Sequence, residues 1–280
     1  MGSHKGVDMA WQRLTAAEAK QAGMEFVIGY VSEDNTGKNI TTPEITAYRA
    51  AGIGVLLVYE YSTSAYTGGA SRGARDASIA VAQARQLGYP TGCVIAFAID
   101  EDVSRNPSVI KGYCDSFDIV LANNGYGSMV YGGIDTVKYC LDNRLVNYGW
   151  QTYAWSQGKW DNRAIIRQVS NGVIIAGKNV DLDIALVDNY GAWMPEGESW
   201  MATTDADWLW PRVEAITHLE DTIRTGPEAG KPVELTTAVK KLVASTGATL
   251  TDAQFQALLA ALPGALAEAL RHVTVTVGVS

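Results

Sequence analysis

The sequence predicts an α/β protein built on a compact (β/α)8 barrel of the TIM type, irregular in its last three units, followed by a small α-helical module. Three observations predict it. Short β-favouring runs alternate with helical segments over the first two thirds of the 280-residue chain, the pattern of parallel strands joined by crossovers. One run, residues 93–100 (Cys-Val-Ile-Ala-Phe-Ala-Ile-Asp), stays uncharged until it meets Asp100, Glu101 and Asp102. That is how a strand buried on both faces ends at the ligand-binding edge of a parallel sheet. The connections at 157–163 and 171–179 are too short for crossover helices, which makes the last three units irregular. An open doubly wound sheet is the architectural alternative, because strands alone do not reveal closure.

Each element follows from local chemistry. Residues 6–10 form a short first strand. A helix follows, opened by Thr15 as cap with Glu18 three residues on, a capping box. Residues 26–31 (Phe-Val-Ile-Gly-Tyr-Val) are the second strand, and a helix starts near Thr42-Pro43-Glu44 and closes at Gly52. Residues 54–61 make the third strand. The Ala-rich stretch 71–87 is a helix with Arg72, Arg75 and Arg85 on its solvated side, stopped by Gly88. After the fourth strand come a helix over 107–121, a fifth strand at 128–132 and a helix through 137–141. Residues 153–156 (Tyr-Ala-Trp-Ser), 165–169 and 180–184 supply three more strands.

Composition narrows the chemistry. A net charge of −8 argues against nucleic acid, whose binding rests on Lys and Arg neutralising phosphate. No apolar stretch is long enough to span a bilayer, and the amino terminus lacks a basic region followed by an apolar one. Cytoplasmic synthesis without a signal peptide is therefore expected. Residues 1–4 (Met-Gly-Ser-His) read as an expression remnant. Cys93, Cys114 and Cys140 have no metal-like spacing and are expected as reduced, partly buried thiols. The only histidines are His4, His218 and His272, so residues 5–195 cannot support Ser-His-Asp or Cys-His catalysis or a histidine-ligated zinc. No phosphate loop or dinucleotide fingerprint is present. Chemistry here falls to carboxylates, with no metal and no other cofactor expected.

The carboxylates gather at the strand ends. Asp8 lies at the end of strand one, Glu60 late in strand three, Asp100 and Asp102 at the end of strand four, and Asp181 and Asp183 in strand eight. In a barrel these ends converge on one face. Strand alternation turns Asp100 and Asp102 one way and Glu101 the other. Tyr30, Tyr59, Tyr61, Tyr131, Tyr153 and Trp155 occupy similar places. An acidic cleft walled by aromatics suits a sugar polymer, whose C–H faces stack on rings and whose hydroxyls bond carboxylates. Hydrolysis of a glycoside needs a protonated acid and a second carboxylate. The reading takes Asp8, Asp100, Asp102 and Asp181 as catalytic, and Glu60, Asp183 and the aromatics as substrate-binding.

Gly6-Val7-Asp8, the Asp-x-acid end of strand four, Met129-Val130-Tyr131-Gly132, Gln168-Val169-Ser170 and Val180-Asp181-Leu182-Asp183 together resemble family 25 glycoside hydrolases, the lysozyme-type muramidases. They resemble more closely the Rv2525c-like glycoside-hydrolase-like domain found in actinobacteria and their phage lysins. The resemblance covers about residues 5–195 and implies a lysozyme-like barrel. It places the proton donor at Asp102, where the lysozymes carry Glu, with Asp8 and Asp181 as cleft acids and Asp100 as the acid before the donor.

Beyond residue 195 the pattern changes. Residues 196–203 read as a linker and 204–280 as a helical module, with Leu258, Leu262, Leu266 and Leu270 at steps of four along one helix side. That stripe calls for a partner, with self-association ahead of wall targeting. The whole reads as a peptidoglycan-directed, endolysin-type glycosidase released to the bacterial cell wall. The competing class is a non-catalytic wall-carbohydrate-binding barrel, or a structural component of a phage or injection particle.

Overall fold

The structure, a computed structural model, describes residues 3–34 and 36–195. The linker and helical module read from the sequence lie outside them. Eight strands close a barrel in chain order: β1 (His4–Met9), β2 (Phe26–Val31), β3 (Gly54–Tyr59), β4 (Val94–Ala98), β5 (Gly127–Gly132), β6 (Tyr148–Thr152), β7 (Ala164–Ile175) and β8 (Lys178–Ala185). Closure removes the open-sheet alternative. Helices α1 (Ala16–Gln21), α2 (Thr42–Ala50), α3 (Gly69–Gln86), α4 (Lys111–Asn123) and α5 (Ile134–Asp142) serve the first five crossovers, and none follows β6 or β7. The expected irregularity of the last three units is present.

Alternation sorts the side chains. Phe26, Ile28, Leu56, Val58, Ala96, Met129, Trp150 and Ile166 fill the barrel interior. Val27, Val55, Leu57, Ile95, Phe97 and Val130 face out beneath the helices. Tyr190 and Ala192 join the interior cluster after β8, and Trp193 pairs with Val55 at the start of β3, so this end is stoppered. Gly6 is needed there, since a Cβ would sit 2.3 Å from the Phe26 ring. The Thr15–Glu18 capping box opens α1 as expected. Cys93, Cys114 and Cys140 are free and buried.

Two expectations are corrected. Strand six is Tyr148–Thr152, and Tyr153 and Trp155 lie in the turn after it. Gly149, a poor strand former, is demanded by α5, because a Cβ would lie 2.6 Å from Val137. His4, read from the sequence as part of an expression remnant, opens β1 opposite Ala185, and its ring reaches Glu25 (2.9 Å) and Asp188 (3.2 Å). Finally, β8 runs antiparallel to both β7 and β1. Only Ala176 and Gly177 separate β7 from β8, both left-handed (φ 50° and 76°), as a two-residue hairpin turn requires. The reversal brings the early residues of β8 to the barrel's mouth.

Candidate active site

The mouth is the end of the barrel opposite Tyr190, where side chains from the strands and the residues just beyond them converge. Asp8 is opposite Asp181 in the β1–β8 ladder, and Gly6 opposite Asp183. The two β8 acids, two residues apart, share a face with Asp8. Asp8 is only 4% exposed. Its Oδ1 accepts from Tyr30 Oη (2.8 Å) and its Oδ2 from Gln168 Nε2 (2.7 Å). The same Gln168 nitrogen reaches Asp181 Oδ2 at 3.4 Å, so one amide bridges both acids. Asp181 Oδ1 accepts from the Gly172 backbone N–H at 2.8 Å, and its carboxyl is half-buried.

Electrostatics separates the acids. Burial, aided by the Asp181 charge, pushes the Asp8 carboxyl up to about 7. Asp100, just beyond β4, is pushed up to about 6 by burial and the Glu60 charge, against the pull of Lys38. Asp181 is raised by burial, with the Gly172 N–H opposing. A carboxyl that remains partly protonated near neutrality and keeps some exposure can deliver a proton, and an anion nearby can stabilise positive charge on a sugar ring.

The remaining residues read from the sequence divide sharply. Glu60 reaches the mouth and is ion-paired with the buried Lys38, whose ammonium lies 4.6 Å from the Tyr30 ring centroid. Tyr131 is buried, its hydroxyl donating to Gln168 Oε1 at 2.8 Å, so it joins the network that orients the amide. Asp183 is 2% exposed and its Oδ1 accepts from Trp150 Nε1 at 2.8 Å. Tyr59 points out of the barrel to Asp76 (3.0 Å), because its odd register faces the helix layer. Tyr61 is exposed beneath the Arg72 guanidinium. Tyr153 and Trp155 stand exposed on the rim, Trp155 in a left-handed conformation (φ 56°) that a bulky residue rarely adopts.

Asp102 does not join the other acids. β4 ends at Ala98, so strand alternation no longer governs residue 102. Its carboxylate is exposed, accepts the Ser104 N–H at 3.0 Å in a tight turn, and is held below the usual carboxylate range by the Ser104 side chain and then by that backbone bond. A solvated, acid-strengthened carboxyl is a poor proton donor. Glu101 faces away, taking the hydroxyls of Tyr66 (2.8 Å) and Thr63 (3.1 Å).

Sequence reasoning assigned no role to Gln168, Thr152, Trp150 or Lys38. Extending the β7 alternation from Ile166 puts Gln168 on the inner face, the one signal that could have found it. Among the described residues, no group of three or more His, Cys, Asp or Glu is arranged to hold a metal ion.

Known proteins place this geometry. Residues 17–189 match the family model described as "Rv2525c-like, glycoside hydrolase-like domain". The Tat-secreted protein Rv2525c of Mycobacterium tuberculosis, solved in complex with L-tartrate, is similar at 25% identity and a TM-score of 0.63. The match covers 68% of this chain and 98% of that one. An uncharacterised protein of B. stearothermophilus shares the fold at 18% identity and a TM-score of 0.52, over 65% of this chain and 95% of its own. No curated protein matches.

Proposed function

Because the chain belongs to the Rv2525c-like, glycoside hydrolase-like domain family, we propose that it cleaves a glycosidic bond in bacterial cell-wall glycan, in the manner of a muramidase. Asp100 is the general acid. Asp181, bridged to Asp8 by Gln168, is the anionic partner that meets the developing oxocarbenium charge. The observation that carries this reading is the division among the mouth acids: Asp100 is pushed up to about 6 where it can still meet solvent, beside buried Asp8 and half-buried Asp181, which share one amide. Tyr153 and Trp155 offer rim surfaces for sugar faces, and Tyr30 orients Asp8. Action at the cell envelope accords with the Tat-secreted relative.

The specific observation favouring a second reading, a wall-glycan binder or a particle component without turnover, is Asp102. The sequence resemblance puts the proton donor there, and the carboxylate sits instead in an exposed turn. Incubation with purified peptidoglycan distinguishes the two. Release of new reducing ends by the wild type, lost in Asp100→Asn with co-sedimentation intact, supports hydrolysis. Co-sedimentation without released sugar supports the binder, and release of new amino termini would defeat both.

A further inference from the structure

The innermost acid of the mouth, Asp183, has a hydrogen-bond pattern that fixes its protonation. The orientation of the Gln168 amide is set first: its Oε1 accepts from Tyr131 Oη (2.8 Å) and Thr152 Oγ1 (2.7 Å), so its Nε2 must face the acids. Asp8 is then a pure acceptor, with Tyr30 Oη on one oxygen and Gln168 Nε2 on the other. Asp183 Oδ1 accepts from Trp150 Nε1. Its buried Oδ2 has no hydrogen-bond partner among the described residues, and the nearest charge acting on the group is the Asp8 carboxyl. Two carboxylate oxygens repel at such a contact unless one carries a proton. Asp8 already takes a donor on each oxygen, so the proton belongs to Asp183.

We propose that Asp183 is held as a neutral carboxylic acid whose Oδ2–H donates to Asp8, making it the positioning residue that keeps Asp8 anionic and aimed at Gln168 and Asp181. The titratable groups facing it are Asp8 from β1, Asp181 from its own strand and Tyr131 from β5. The mouth's lysine, Lys38, is engaged on Glu60. Burial and the Asp8 charge push Asp183 well above the usual carboxylate range, in the same direction as its donorless Oδ2. This role deepens the hydrolase reading of the same site, but its test reads a proton and not turnover, so the two can fail separately.

The test is infrared spectroscopy of the whole protein above the Asp8 titration, at about pH 8, on the wild type and on Asp183→Asn. The expected wild-type spectrum contains the carbonyl stretch of one protonated carboxyl, and Asp183→Asn lacks it. The asparagine amide accepts from Trp150 and donates to Asp8 as the neutral acid does, so the variant should fold. Its stability should also respond less to pH. Between the ordinary carboxylate pKa and that of folded Asp183, the folded wild type binds one extra proton, so its folding constant drops about tenfold more per pH unit than the variant's. Absence of the band, or its survival in Asp183→Asn, overturns the proposal. Failure of Asp183→Asn to fold overturns it too, because the amide reproduces the neutral acid's bonds and not a carboxylate's.

Discussion

Asp8 and Asp76 are both buried aspartates, yet they are solvated in opposite ways. Asp76, in α3 behind β3, is fully buried and takes the Arg72 Nε–H at 2.7 Å and the hydroxyls of Tyr59 (3.0 Å) and Tyr113 (2.9 Å), with Arg75 at 3.7 Å. Cations pay its desolvation cost. Asp8 receives only neutral donors, and its other neighbours are two further acids. A fold seeking stability alone builds the first arrangement. The second holds like charges together at the expense of stability, and the proposed hydrolase reading puts its chemistry there.

The largest expected effect separates the regions by activity. Asp100→Asn should lower glycan hydrolysis by about 10²–10⁴ with the melting curve preserved, whereas changes at Asp76 should act through folding. Initial rates of reducing-end release, set beside circular dichroism, measure it. Next comes stability: Asp76→Ala strands Arg72 and two tyrosine hydroxyls and should cost about 3 kcal/mol in urea unfolding. Asp8→Asn, which relieves the like-charge cluster, should cost little or stabilise the barrel. Equal losses from both would break the comparison.

Acidity sharpens it further. Asp8 and Asp100 are raised in the folded state, so folding takes up protons between about pH 4 and pH 7, and stability should fall as pH rises through that window. Each such proton is worth about 1.4 kcal/mol per pH unit, and Asp8→Asn should flatten the slope in denaturation followed by fluorescence. With Asp100 as the donor, the rate should likewise decline above about pH 6. Trp155→Ala should weaken binding of soluble glycan fragments by about 1 kcal/mol in calorimetry, with little effect on melting. The smallest effect is expected at Asp102→Asn, within about 0.5 kcal/mol of wild-type stability and near full activity. A large loss of activity there would return the proton donor to Asp102.

What the sequence made legible follows from range. The first five strands were readable because each carries its own apolar run, and the helices between them carry their own caps and stops. Strand six was misplaced by five residues because Tyr148-Gly-Trp-Gln-Thr owes its strand to contacts with Val137 of α5 and with β7, and not to local preference. The direction of β8 was hidden because Ala176-Gly177 is a weak turn signal beside an Asn-Gly pair. At the site, the convergence of strand ends brought Asp8, Tyr30, Glu60 and Asp100 to one mouth. It did not hold for Tyr59, whose register faces the helix layer, and the alternation that paired Asp102 with Asp100 did not hold because the strand had already ended. Gln168 was legible only as part of a family motif and was given no role, because an uncharged amide acquires its importance from what other strands bring against it.

The antiparallel last strand also sets a timetable. His4 lies beside Ala185, so the first and last strands of the barrel are neighbours only once nearly all of it has been synthesised. Until Lys178–Ala185 has left the ribosome, β1 and β7 present bare edges, and Asp8 has no β8 acid to share its burial. The nascent chain is thus both sticky and chemically incomplete. Any shortening that removes this hairpin should yield aggregating material, not a smaller working barrel.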